Sequence, residues 1–181
     1  MHVVWYTAMS MDGRIADAAN SLEFLNTIRS GDEGGGDDFA TFLAGIDAVV
    51  VGATTLRWLI DGGHGWPHDD LPTWLVSHDE GLVDRVGPTR QPFQRFAGDV
   101  GELFATIEAQ GYKRVWLCGG GAVAGQALAA GRIDEVVVTI APTALGAGPA
   151  LFDVAAVPRW LFTLAEVTKT GSAARLRWLR A

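Results

Sequence analysis

Three consecutive glycines, Gly119-Gly120-Gly121, follow the apolar run Val115-Trp116-Leu117-Cys118 and precede a helical pattern beginning at Ala122. A buried strand, a glycine turn and a helix start are expected there. Such a turn bares backbone N–H groups at the positive end of a helix, with no side chain in the way. It can grip a phosphate or a diphosphate, which points to a nucleotide cofactor and so to an enzyme. The triplet alone leaves a second reading open, a tight strand–helix turn in which glycine only permits close packing. Carboxylates are the other candidates for chemistry, because burial in a partly apolar pocket raises their pKa and equips them to donate a proton or anchor a substrate. Asp12 sits in a Met-Asp-Gly turn, and Asp38 stands just ahead of Phe39 and Phe42. An Asx turn before Gly13 and a helix N-cap are their respective structural alternatives.

Other reactive residue types are less well placed. Glu23 and Asp37 read as solvated charges. Trp5 and Trp58 offer flat faces to a heterocycle, although large aromatics are commonly core. His64 and His68 have the i, i+4 spacing of a helical metal pair, but Gly63, Gly65 and Pro67 argue for a loop. No other metal-ligand cluster and no Gly-x-Ser-x-Gly nucleophile context is found. Cys118 is the only cysteine. It ends an apolar run, so a buried inert thiol is expected, and a disulfide within the chain is impossible.

The elements that must position these residues alternate. Strands are expected over 2–8, 46–51, 73–77, 93–96, 115–118 and 134–140. Helices are expected over 39–45, 53–60, 99–110 and 122–130. Phe39, Phe42 and Leu43 share a helical face, as do Leu103, Phe104 and Ile107. Asp99 is the expected N-cap and Gly111 the C-terminal stop of the third helix. Segments 9–16, 30–38, 61–72 and 142–149 read as turns and loops, and 81–92 has no clear period. Residues 160–169 and 174–179 alternate like an antiparallel pair joined through Thr170-Gly171-Ser172. The run over 46–51 is apolar enough to be buried on both faces, the habit of parallel sheets. The fold class is therefore α/β, with a mostly parallel central sheet closed by a C-terminal antiparallel hairpin. Ligands in such sheets sit at the carboxyl ends of the strands. Three tips fall there: Gly52-Ala53-Thr54-Thr55, Ser77-His78-Asp79 and Gly119-Gly120-Gly121.

Bulk properties narrow the function. At 181 residues the chain is expected to be one domain, long enough to bury about two thirds of its unfolded surface. A net charge of −7 disfavours nucleic acid and anionic membranes as partners. No apolar run reaches the roughly 18 residues needed to span a bilayer, and no leader pattern is found. With one cysteine, a reducing cytoplasm is the expected location.

The motifs, taken in order, resemble the dihydrofolate reductase-like superfamily, in the branch of the C-terminal reductase domain of bacterial riboflavin biosynthesis. The matching segments are Ser10-Met11-Asp12-Gly13-Arg14-Ile15-Ala16, Asp47-Ala48-Val49-Val50-Val51-Gly52-Ala53-Thr54-Thr55, Trp66-Pro67, Trp74-Leu75-Val76-Ser77 and Leu117-Cys118-Gly119-Gly120-Gly121. They continue with Asp134-Glu135-Val136, Ala141-Pro142 and Leu145-Gly146-Ala147-Gly148-Pro149-Ala150-Leu151-Phe152, so the series spans most of the chain. The resemblance implies a three-layer α/β/α fold, NADPH as hydride donor and a homodimer. Carried over, the cofactor contacts are Gly52, Ala53, Thr54, Thr55, Ser77, His78, Gly119, Gly120, Gly121 and Ala122. It also sets Asp12 beside the substrate and nicotinamide, and likens Asp38 to the acid that anchors the pterin in true dihydrofolate reductases. The implied reaction reduces a small heterocyclic substrate, nearest to 5-amino-6-(5-phosphoribosylamino)uracil reduction. The alternatives are a pterin reductase and a non-catalytic, dimeric nucleotide-binding relative. One departure stands out: the family commonly has an arginine directly after the glycine, where this chain has Ala53. Arg57, Arg14 and Arg90 are the candidates to replace that charge. Lys113 and Lys169 are the only lysines, which sits poorly with a phosphosugar substrate.

Overall fold

The structure, a computed structural model, describes residues 1–28, 35–156 and 158–181, without the side chains of 35–38. Its strands are β1 (His2–Ser10), β2 (Ala48–Gly52), β3 (Thr73–Val76), β4 (Phe93–Phe96), β5 (Arg114–Gly119), β6 (Glu135–Ala141), β7 (Phe162–Thr170) and β8 (Ala173–Arg180). Its α-helices are α1 (Gly35–Ala44), α2 (Ala53–Asp61), α3 (Val100–Ala109) and α4 (Gly121–Ala129). The strands form one sheet in the order β4-β3-β2-β5-β1-β6-β8-β7. Pairing is parallel from β4 through β6, while β8 runs antiparallel to both β6 and β7. The expected α/β class, with its parallel centre and antiparallel hairpin, is the observed one.

Period-two alternation explains the layers. In β2, Ala48 and Val50 face one core with Val115 and Leu117 of β5, beneath α3 and α4. Val49 and Val51 face the other with Trp116 and Leu56. Trp5, Phe104, Leu103 and Leu117 are fully buried. Each such large apolar side chain contributes about 1.5–3 kcal/mol by leaving water. On the second face, Phe39 and Phe42 of α1 close over Tyr6 and Trp116, with ring centroids 4.6 Å apart for Tyr6–Phe42 and 5.5 Å for Phe39–Trp116.

The structure corrects some expected boundaries. Residues 35–38 were expected in a loop, yet they begin α1. Helix starts tolerate glycine, and acids in a first turn meet the positive end of the helix dipole. The rest of that loop, 30–34, lies outside the described residues. Strand β1 runs on through Ser10 because β6 continues to pair with it as far as Ala141. A short 3₁₀ turn over Glu23–Thr27, with Phe24 buried, had no visible sequence period.

Two acids of the resemblance, Asp134 and Glu135, clamp β6 to its neighbouring strands. Asp134 accepts hydrogen bonds from the Val3 N–H at 2.8 Å and from Arg180 at 2.6 Å. Glu135 is buried and accepts from Arg177 Nε at 2.5 Å, with His2 Nε2 at 2.7 Å. Burial alone would raise the Glu135 carboxyl, but the hydrogen bonds from Arg177 and His2 and the nearby Arg114 charge hold it below its ordinary value.

Candidate functional site

The three strand tips converge. A cleft of about 520 Å³ opens at the carboxyl ends of β3, β2 and β5, within the size range of small-molecule sites. Gly52, Ala53, Thr54, Thr55, Ser77, His78, Gly120, Gly121 and Ala122 line it. Gly119, expected beside them, does not. It sits behind the wall, where a Cβ would lie 2.8 Å from Thr55 Oγ1.

The floor is made by two helix starts. Gly52 is the N-cap of α2 and Gly120 the N-cap of α4, and neither helix has a side-chain cap or an acidic residue in its first turn. Their leading N–H groups therefore keep no partner from a capping side chain and point at the cleft. Helix α3, whose start follows the cleft-lining Gly98, is closed in the usual way. Asp99 accepts from the Glu102 N–H at 3.1 Å, and Glu102 lies in the first turn. The α2 and α4 starts differ from it in lacking both cap and acid, and that is what an anion-binding site needs.

Glycine has a second job here. A Cβ on Gly52 would stand 3.0 Å from both the Gly120 nitrogen and Val123 Cγ2. A Cβ on Gly121 would run into the Ala150 carbonyl oxygen and lie 3.1 Å from Asp153 Cβ. The β2 and β5 tips thus approach as closely as bare backbone allows. The register of their pairing slips beside Cys118, where Val50 faces Leu117 and Val51 faces Gly119. A bulge of this kind re-aims the chain just before the glycine turn.

The walls add side chains at two ends. At the α2 end stand Arg57, Trp58 and Asp79. Arg57 Nη2 donates to Asp79 Oδ2 at 2.8 Å, and Asp79 also accepts from the Gly81 N–H. The Arg57 hydrogen bond and charge hold the Asp79 carboxyl below its ordinary value. Trp58 is 37% exposed and stacks on His64, with centroids 5.5 Å apart. At the α4 end stand Ile15, Ala16, Pro149 and Asp153, joined to the helix start by the Asp153 N–H donating to the Gly121 carbonyl at 3.0 Å.

The candidate acids fare differently. Asp12, expected as a proton donor or substrate anchor, stands outside the cleft. Its carboxylate is exposed, does not line the cleft, and accepts from Ser10 Oγ at 2.5 Å, Leu145 N–H at 3.0 Å and Gly146 N–H at 2.7 Å. These hydrogen bonds, that of Ser10 first, lower its pKa to about 2, so it carries no proton near neutrality. It clasps the 145–146 backbone to the β1 turn, an extended version of the Asx turn. Asp38 falls in the first turn of α1, and its side chain lies outside the described residues.

Among the arginines, Arg14 donates to the Gly148 carbonyl at 3.0 Å and Arg90 chelates Asp69 at 2.7 and 3.1 Å, while Arg57 alone of the three lines the cleft. Trp5 is core. His64 and His68 lie in turns with different neighbours: His68 packs 4.9 Å from Trp116, and burial lowers its pKa. Burial pushes the Cys118 thiol up to about 12, as an inert thiol requires. Sequence reasoning placed Asp79 in the Ser77-His78-Asp79 tip but missed Gln126 and Asp153 as wall residues, for which no local pattern gave a signal.

Known proteins match this arrangement. The uncharacterized protein YwjB of Bacillus subtilis (strain 168) is 26% identical over 152 residues, covering 82% of this chain and 81% of that protein. A protein designated for riboflavin biosynthesis from Shewanella sp. PV-4 shares the fold with a TM-score of 0.83 at 23% identity, over 100% of this chain and 99% of that one. A pyrimidine reductase-like protein from Corynebacterium diphtheriae has a TM-score of 0.71 at 19% identity, over 99% of this chain and 92% of that one. RibD from Acinetobacter baumannii follows with a TM-score of 0.69 at 20% identity, over 99% of this chain, which spans only 58% of it. The sequence pattern of the RibD C-terminal domain covers residues 66–176, from the loop before β3 into β8, and the chain belongs to that family.

Proposed function

We propose that the cleft binds NADPH and that the protein is an NADPH-dependent reductase of a small heterocyclic compound. One observation carries this reading: the starts of α2 and α4, both uncapped and free of acids, meet in one cleft at the strand ends. Two such ends make a site for a diphosphate. The N–H groups of Ala53, Thr54 and Thr55 would hold one phosphate and those of Gly121 and Ala122 the other. The adenosine would extend toward Ser77, His78 and the Trp58 face, and the reactive ring toward Ile15, Ala16 and Pro149. Bound there, the cofactor supplies a hydride. The chain's part is to orient the acceptor carbon, exclude water and keep the ring fixed.

The substrate would lie at the α4 end. Among the described residues that line the cleft, the only guanidinium or ammonium group is that of Arg57, at the opposite end, while a carboxylate, Asp153, stands at this one. That polarity favours a neutral or amidine-bearing heterocycle, such as a pterin, over the phosphorylated ribosylamine named for the Thermotoga maritima relative, a 5-amino-6-(5-phosphoribosylamino)uracil reductase. A homodimer is part of the proposal. Leu164 and Val167, 50% and 60% exposed on the edge strand β7, suit a subunit contact. Light scattering is expected to give twice 19.2 kDa.

Titration with NADPH tests the cofactor. At about 100 times its dissociation constant it should stabilise the protein by ~2.7 kcal/mol. No shift with NADPH or NADH refutes the reading. A shift without oxidation of NADPH by any pyrimidine or pterin leaves a binding protein instead.

A further inference from the structure

We propose that the Arg57–Asp79 pair sets the choice between phosphorylated and unphosphorylated dinucleotide, its two members acting with opposite sign. The inference rests on the cofactor reading above and names what that site discriminates. Arg57 lies on α2 one turn beyond Thr54, and its long side chain leans back over the helix start. It is the only lysine or arginine among the described cleft-lining residues. Among the described residues it donates to Asp79, at 2.8 Å through Nη2. A guanidinium has five N–H donors in a fixed fork, so the remaining donors can take a second anion without losing the first.

Asp79 is set with equal care. Its N–H donates to Ser77 Oγ at 3.0 Å, and its Oδ1 accepts from the Gly81 N–H at 3.2 Å. The carboxylate is thereby turned toward Arg57 and lies on the cleft wall beside Ser77 and His78. An acid at a strand tip accepts hydrogen bonds from the ribose hydroxyls of NADH, whereas a nearby arginine accommodates the 2′-phosphate of NADPH. This chain has both, in contact. The 2′-phosphate gains the guanidinium and meets a like charge on Asp79. The 2′-hydroxyl gains the carboxylate and makes little of the guanidinium. With Ala53 after Gly52, no second lysine or arginine among the described cleft-lining residues outweighs Asp79, so the pair decides.

The test is the ratio of dissociation constants for NADH and NADPH, measured by nicotinamide fluorescence at fixed ionic strength, for the native protein, Arg57→Gln and Asp79→Asn. Both side chains are more than two fifths exposed, at 43% and 45%, so both variants should fold, and melting curves check it. Asp79→Asn is expected to raise the NADH-to-NADPH ratio about tenfold, the effect of one charge-assisted contact. Arg57→Gln should lower it by about tenfold or more, by weakening NADPH while sparing NADH. Ratios that stay constant, or move the same way in both variants, overturn the proposal while leaving the cofactor reading intact. A native protein that binds neither dinucleotide overturns both.

Discussion

Replacing Thr55 by valine separates a binding role of the cleft floor from a packing role. Thr55 is the third residue of α2, lines the cleft and lies against the glycine turn. A Cβ on Gly119 would be 2.8 Å from its Oγ1, and one on Gly120 would be 3.4 Å away. Valine keeps the β-branched shape and the backbone N–H, and puts a methyl where the hydroxyl was. No hydrogen bond within the described residues uses that hydroxyl, so the unliganded protein should change by less than about 0.5 kcal/mol, or roughly 1–2 °C in Tm. A hydroxyl bonded to a phosphate contributes about 1.5–3 kcal/mol, so NADPH should bind about 10–150 times more weakly. Gly121→Ala is the counterpart. Its Cβ meets the Ala150 carbonyl oxygen, an unyielding backbone atom, and overpacking of this kind costs about 1–3 kcal/mol before any ligand is added. Fluorescence titration and thermal melts of the two variants give both numbers. If Thr55→Val binds NADPH as tightly as the native protein, while Gly121→Ala loses only stability, the floor is a packing device and the diphosphate site is refuted.

Other expectations follow from groups outside the floor. Glu135→Gln should cost about 2–3 kcal/mol, below the range for a fully buried pair because His2, Arg114 and Arg177 are each about two fifths exposed and can rehydrate. The folded Glu135 pKa is depressed from 4.5, so its contribution is present above that value. It is lost as pH falls through the lower folded value, and urea melts of native and variant protein should converge there. Asp12→Asn should speed amide exchange at Leu145 and Gly146. The Asp12 contribution in the native protein is present above 3.8 and is lost as pH falls from there through about 2, so exchange near neutrality that is unchanged by the substitution would contradict the clasp. With its thiol at about 12, the half-buried Cys118 should be about one part in 10⁴ thiolate at pH 8 and react slowly with a disulfide reagent; rapid reaction would contradict the raised pKa.

The centre of the fold was legible because its local signals agree. Val49-Val50-Val51 is β-branched throughout, Asp99 caps α3, and Gly171 takes a φ of +58° in the turn of the final hairpin. The start of α1 was not, because Gly35-Gly36 reads as a breaker when it is weighed without the core that Phe39 and Phe42 fill. The three tips of the cleft could be placed from strand ends alone. The function of Asp12 could not. Its partners Leu145 and Gly146 lie 133 and 134 residues away, and no local pattern reports them. Nor could the sequence choose among Arg14, Arg57 and Arg90. What separates them is which carboxylate or carbonyl each meets, and Arg14 and Arg90 find theirs outside the cleft.

The two readings of the glycine triplet, packing and binding, are the same geometry seen from two sides. A phosphate is held by many weak donors only if they are close together, since each helix start carries about half a charge and its field fades within a turn. A side chain at Gly52 would push the starts of α2 and α4 apart. Bare backbone lets β2 and β5 meet tip to tip, which satisfies the sheet, and leaves two uncapped helix starts facing one cleft, which would suit a diphosphate. Caps would have stabilised each helix by about 1 kcal/mol. Their omission at these two ends, with α3 capped in the same molecule, is a local loss of stability at the point where a ligand would restore it.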